Sequence, residues 1–286
     1  MPFPFAVAVL AAFPSKPPDY SALSRRIANQ QSQVSTVQCL LLDTMVPRQR
    51  IEVSFGPPVS ELLEIIRNTG GTLGVLGMDH RDGHVLRCGV EARIESASSY
   101  RAGNGFFSSH ALSPFDAPNA RGYQALDTAL VGGRRFELVN DAGSSKDAWP
   151  PDKPIFQARV RWLDEETGTA AAILKGQALP PLVREWTQLV RSGQRERTAG
   201  QLDALLSDLG PIPAVEETDD LAFWTAALIN PLPALGVSLE VRSAVLEASS
   251  ALQRVEIVHR ALTDSIERLR SMPPGPFECE PPPNGP

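Results

Sequence analysis

Leu126-Asp127-Thr128-Ala129-Leu130-Val131-Gly132-Gly133-Arg134-Arg135-Phe136-Glu137-Leu138-Val139 decides the fold class. Two β-prone runs meet at a Gly-Gly pair, and glycine reaches positive φ without the Cβ clash that deters other residues. The stretch reads as a tight β-hairpin turning at Gly132-Gly133, with Leu130 and Phe136 on the core side. A hairpin here needs further strands around it to bury that side.

The flanks supply them. Residues 37–42 form a short strand candidate closed by Pro47, and residues 50–55 alternate with Ile51, Val53 and Phe55 on one face. Residues 59–67 place Val59, Leu62, Leu63 and Ile66 at helical offsets, with Ser60 as N-cap and Asn68-Thr69-Gly70-Gly71 as the stop. Residues 72–78 and 85–95 flank Asp82-Gly83, a short-range hairpin signal, and Val90, Ala92 and Ile94 share a face. Gly74, Gly77 and Gly89 suggest bends or bulges where a sheet curls into a barrel. Residues 96–123 then dissolve into Gly, Ser, Asn and Pro, a long connection of the kind that is often either functional or disordered. Beyond the central stretch, residues 155–163 alternate most clearly, with Phe156, Ala158, Val160 and Trp162 inward.

After Asp164-Glu165-Glu166 the period changes from two to 3.6. Leu179, Leu182, Val183, Trp186, Leu189 and Val190 fall on one helical face, and Leu202, Leu205, Leu206 and Leu209 mark a second helix ended by Gly210-Pro211. Asp219 or Asp220 caps a third, residues 221–229, and Ser238 a fourth. Ser250-Ala251-Leu252-Gln253 is a capping-box match opening a fifth, which Pro273-Pro274-Gly275-Pro276 stops. The expected organisation is a flexible N-terminal segment over residues 1–36, a β-rich part over 37–166, a helical part over 170–272 and a proline-rich, disordered tail over 273–286. The fold class is α+β.

Motif order adds a family resemblance. Gly71-Thr72-Leu73-Gly74-Val75-Leu76-Gly77, Gly89-Val90-Glu91-Ala92-Arg93-Ile94 and the Gly132-Gly133-Arg134-Arg135-Phe136 hairpin are similar to successive strands of the LON substrate-binding domain, the N-terminal domain of Lon proteases. Residues 156–164 resemble that family's strand ending in an acidic turn, and Gln253-Arg254-Val255 its closing helix. The start departs from the pattern, with Thr44-Met45-Val46-Pro47-Arg48-Gln49-Arg50 in place of the usual opening turn. The resemblance implies a small PUA-like β-barrel followed by a C-terminal helical bundle. It also implies a structural role for Gly74, Gly77, Gly89, Gly132, Gly133, Arg135 and Phe136, and recognition of polypeptide substrates without chemistry. A stand-alone domain of this kind would serve as an adaptor in protein quality control, with a protease or ubiquitin ligase as partner.

Composition narrows the alternatives. A net charge of −6 and a pI near 5.3 argue against nucleic acid, whose phosphates require a clustered positive field. The lysines, Lys16, Lys146, Lys153 and Lys175, never follow a glycine, so the sequence contains no G-x-x-x-x-G-K-[ST] loop and no Lon-type ATPase. Cys39, Cys88 and Cys279 have no metal or disulfide spacing and read as reduced thiols. No run reaches the length of a membrane span. Cytoplasmic location is the default reading, with plastid or mitochondrial import as the alternative because residues 21–42 carry Arg25 and Arg26, Ser and Gln but no carboxylate before Leu42.

Candidate sites are few. His80-Arg81-Asp82-Gly83-His84 reads as a surface turn rather than a zinc pair, Ser144-Ser145-Lys146 as a loop rather than a Ser–Lys dyad, and Gly103-Asn104-Gly105 as a loop without the strand and helix of a phosphate site. Asp164-Glu165-Glu166 is a solvated strand end, and Cys88 a small core residue. The expectation is no catalytic residue, metal or cofactor. Phe106 and Phe107, two aromatics in a Gly/Ser-rich loop, are the candidate peptide contacts. A hydrolase at the barrel/helix junction is the alternative from another class. A PUA-like RNA binder is a third, and it would need Arg93, Arg134, Arg159 and Arg161 to form one basic stripe.

Overall fold

The sheet closes on its first strand, Val34–Leu41 (β1). In the computed structural model, β1 pairs in parallel with Leu73–Met78 (β3) and antiparallel with Ile155–Trp162 (β6). The other strands are Arg50–Phe55 (β2), Val85–Arg101 (β4) and Gln124–Leu138 (β5). Their order is β2-β5-β4-β3-β1-β6, and a further β5–β6 pairing joins the ends, so five strands form a closed barrel and β2 continues the sheet outside it. The structure describes residues 34–56, 59–69, 73–78, 84–101, 124–139, 155–164, 168–232 and 234–275, all within one compact unit. The fold class is α+β: a small closed β-barrel followed by a helical C-terminal region.

The central stretch is not a hairpin. β5 runs unbroken through Gly132-Gly133, pairing with β2 up to Val131 and with β6 from Phe136 onward. The ladder to β4 shows a bulge here in place of a turn. Val90 faces Arg135 and Ala92 faces Gly132, so β5 holds one residue more than β4 across this interval. That bulge bends the strand out of the open sheet and into the barrel. It also inverts the alternation of side chains. Leu130 therefore packs with Leu40, Leu73 and Val75, while Phe136 packs in a separate core with Val37, Cys39, Leu76 and Val160.

The motif glycines divide the same way. A Cβ on Gly74 or Gly89 would strike the Phe136 ring, so both leave room for the fully buried phenylalanine, and neither occupies a bulge. Trp162 closes the same core edge to face, 5.8 Å between centroids. Gly77 does lie in an irregular stretch, between Leu76 and Met78, and a Cβ there would collide with Thr44. The helix Val59–Thr69 (α1) buries Val59, Leu63 and Ile66 against the Leu130 core. Ser60 lies within its first turn instead of capping it.

The connection expected from residue 96 starts later, because β4 and β5 remain paired as far as Arg101 and Gln124. Among the described residues six helices follow β6: Ala170–Gly176 (α2), Leu179–Ser192 (α3), Gln201–Leu209 (α4), Thr218–Ile229 (α5), Arg242–Glu247 (α6) and Ala251–Ser271 (α7). Every residue of α5 except Asp220 is buried, so it is the axis of this half and carries little 3.6-residue periodicity. Around it α7 packs Val255, Val258, Leu262 and Ile266. Ser250 caps α7 by accepting from the Gln253 amide at 3.3 Å. Ser238 caps nothing: its hydroxyl meets Ser265 Oγ at 2.8 Å, in a chain from the Trp186 indole through Ser265 to the Val237 carbonyl. Residues 273–275 remain attached, since the buried Arg195 guanidinium donates to the Pro273 and Gly275 carbonyls.

Candidate functional site

The strand that carries Phe136 into the barrel turns Arg135 the opposite way, toward the helices. Arg135 Nη1 donates to the Leu246 carbonyl at 3.3 Å, and Nη2 lies 3.8 Å from Asp219 Oδ2. Asp219, expected as a cap, sits inside the first turn of α5 and receives a two-pronged bond from Arg254 of α7 at 2.7 and 3.0 Å. Asp219 and Arg254 are each 1% exposed. The Phe223 ring lies under both guanidiniums, at 5.0 and 5.8 Å. The two arginines of the family resemblance thus meet on one carboxylate and join β5, α5 and α7.

The turn before β2 completes the junction. Arg48 adopts φ 67°, rare outside glycine, and its guanidinium pairs with Asp220. The Arg48 and Gly132 backbones bond at 2.9 Å, as do those of Gly132 and Gln49, and a Cβ on Gly132 would fall well under 3.0 Å from the Val46 carbonyl oxygen. Gln49 Nε2 donates to the Asn230 carbonyl at 3.3 Å. Asn230 in turn holds the Leu239 carbonyl and the Val241 amide. Residues 46–49 are wedged between barrel and helices.

This wedge sets β2 beside α4, with a cleft of about 440 Å³ between them. One wall is Arg50 to Val53, the other Gln201, Ala204, Leu205 and Asp208, one stripe of α4 at offsets of three and four. Leu42, Pro231 and Leu232 add apolar lining. Among the described residues β5 is the only strand neighbour of β2, and its outer edge has no strand partner among them. Arg50 stands in the mouth, 2.7 Å from Glu52, 3.6 Å from Glu95 and 3.7 Å from Asp208. These carboxylates hold the Arg50 pKa above its ordinary value, the Glu52 hydrogen bond contributing most.

A second cleft, about 450 Å³, opens at the barrel/helix junction beside Arg87, Cys88, Glu137, Asp164, Glu247 and Ser249. Burial pushes the Cys88 thiol up to about 11, so it is protonated at neutral pH and a poor nucleophile. Cys39, fully buried, is pushed up to about 12. Among the described residues no group of three or more His, Cys, Asp or Glu side chains is placed to hold a metal ion. None of their helices is long and apolar enough to cross a membrane.

Three of the four arginines of the RNA reading are engaged by a carboxylate or a ring. Arg93 pairs with Glu95 at 3.1 Å, Arg161 lies 3.7 Å from Glu137, and Arg134 covers the Trp162 ring at 5.1 Å. Phe106 and Phe107 lie outside the described residues, as do residues 1–33, His80, Asp82-Gly83, Gly103-Asn104-Gly105, Ser144-Ser145-Lys146 and Glu165-Glu166. The β2–α4 cleft was absent from the sequence reading. Its signals were a charged pair, Arg50 and Glu52, on the polar face of an alternating strand, charge being one way edge strands are marked, and the mixed stripe on α4.

No family model matches the chain, and no curated protein matches it. Among solved structures, the Lon N-terminal domain protein from Xanthomonas campestris is 16% identical with a TM-score of 0.44, covering 79% of this chain and 98% of its own. The N-terminal domain of Mycobacterium avium complex Lon protease is 14% identical with a TM-score of 0.45, covering 80% and 99%.

Proposed function

We propose that this chain is a non-catalytic polypeptide-binding module, an adaptor that presents bound polypeptide to a separate protease or ubiquitin ligase. An extended segment lies in the β2–α4 cleft and adds a strand to the outer edge of β2, its side chains alternating between the apolar lining and the charged mouth. The single observation that carries this reading is a strand that lines a partly apolar cleft and has one edge without a strand partner among the described residues. Main-chain bonding to such an edge is indifferent to sequence, which suits a protein that must accept many unfolded chains. The motif resemblance implies the same class of ligand.

Ala204→Trp tests it. Ala204 is exposed on the wall of the cleft, so a bulky ring there fills the space and leaves the α4 core untouched. The expected outcome is a loss of at least about tenfold in affinity for a reduced, unfolded polypeptide, with the melting temperature within roughly 2 °C of wild type. Undiminished binding by the folded variant contradicts the placement. Turnover of a small ester or amide by the purified chain contradicts the non-catalytic reading.

A further inference from the structure

On the other side of α4, away from β2, a second groove of about 530 Å³ runs between α3, α4 and residues 210–212. Val183, Leu206, Ile212 and Trp224 line it, and Ile212 remains 37% exposed. The Trp224 indole N–H is satisfied within the fold, donating to the Gly210 carbonyl at 3.2 Å, so what the tryptophan offers the groove is apolar. The charged side chains that line it are both arginines. Arg184, Gln188 and Arg191 succeed one another along α3, and among the described residues no carboxylate lines the groove and Arg184 has no ion-pair partner. Arg191 meets only the exposed Asp203, at 2.5 Å. In a chain of net charge −6 this stands apart from the β2–α4 cleft, whose mouth gathers three carboxylates around one arginine.

We propose that this groove docks an acidic amphipathic helix of a partner protein. Its walls are helices and a loop, and it offers no strand edge. An occupant therefore has to satisfy its own backbone hydrogen bonds, which a helix does and an extended segment does not. The volume lies within the range of specific pockets and suits two or three large apolar side chains, spaced i, i+3 and i+7 along the incoming helix. Its flanking Glu or Asp residues meet Arg184 and Arg191, a complementarity that selects the partner by charge. The site is independent of the cleft at β2, so one chain can hold an unfolded segment and a folded partner together.

The test is fluorescence anisotropy with a labelled amphipathic peptide of about four helical turns carrying Leu at the three anchor positions and Glu beside them. Full-length protein is expected to bind it and to bind the version with Lys in place of Glu at least about tenfold more weakly. Arg184→Glu is expected to narrow or invert that preference. Gln188→Trp, an exposed rim position, is expected to block both peptides while the thermal midpoint holds. Ala204→Trp is expected to leave the affinity unchanged, which separates this site from the strand-addition cleft. Absence of binding, equal affinity for both peptides, or displacement of the peptide by decanoate, which would mark a fatty-acid pocket, overturns the proposal.

Discussion

Gly132 and Gly133 are neighbours under different constraints. The first is held between the Arg48 and Gln49 backbones, with the Val46 carbonyl where a side chain would start; the second has nothing closer than 3.5 Å to a hypothetical Cβ. Gly132→Ala is expected to cost about 1–3 kcal/mol, because backbone has to move, and Gly133→Ala to stay within about 0.5 kcal/mol. Chemical denaturation of the two variants checks it, and equal losses would mean that the bulge itself, not the close approach, demands glycine. Cys88 gives a second residue-scale prediction. With its pKa raised to about 11 by burial, its thiolate is on the order of one part in ten thousand at pH 7 and rises tenfold per pH unit until the group titrates. In a Cys279→Ser background, alkylation rates between pH 7 and 10 should follow that slope. A plateau near pH 8 would mean an activated thiol and revive the hydrolase reading of its cleft.

At the scale of elements, the joint between β5, α5 and α7 depends on a buried carboxylate shared by two guanidiniums. Removing one partner of such a pair leaves charge uncompensated, so Arg254→Met is expected to destabilise by about 3–5 kcal/mol in urea unfolding. A loss below about 1 kcal/mol would show that apolar packing alone holds α7. The same joint explains how much of the sequence was legible. Strands with regular alternation, such as β6, could be read because one face is buried and the other wet. The Gly-Gly stretch misled because glycine permits a turn and a bulge equally. Which of the two forms depends on Val46 and Gln49, more than 80 residues earlier, and nothing local records it. Asp219 misled for a similar reason: beside a helix start an aspartate reads as a cap, and its partner Arg254 lies 35 residues away. α5 was recognisable by its ends more than by its period, since a helix buried on all sides has no polar face to contrast.

For the whole molecule, a barrel closed by β5–β6 pairing consumes its own edges, and β2 is the strand left over. The helices settle against that region through the 46–49 turn, and the cleft is what remains between β2 and α4. Such a site was beyond a linear reading because its walls come from residues 150 apart in the chain, neither of which stands out alone. The proposed strand addition places recognition on β2 and α4, while the sequence had pointed to Phe106 and Phe107, which lie outside the described residues. The most direct measurement is amide hydrogen exchange of the full chain with and without a saturating unfolded polypeptide. Strand addition predicts slowed exchange at alternate residues of Arg50–Phe55, with protection along the facing stripe of α4. Unchanged exchange in β2 under saturating ligand, with protection elsewhere, would contradict it.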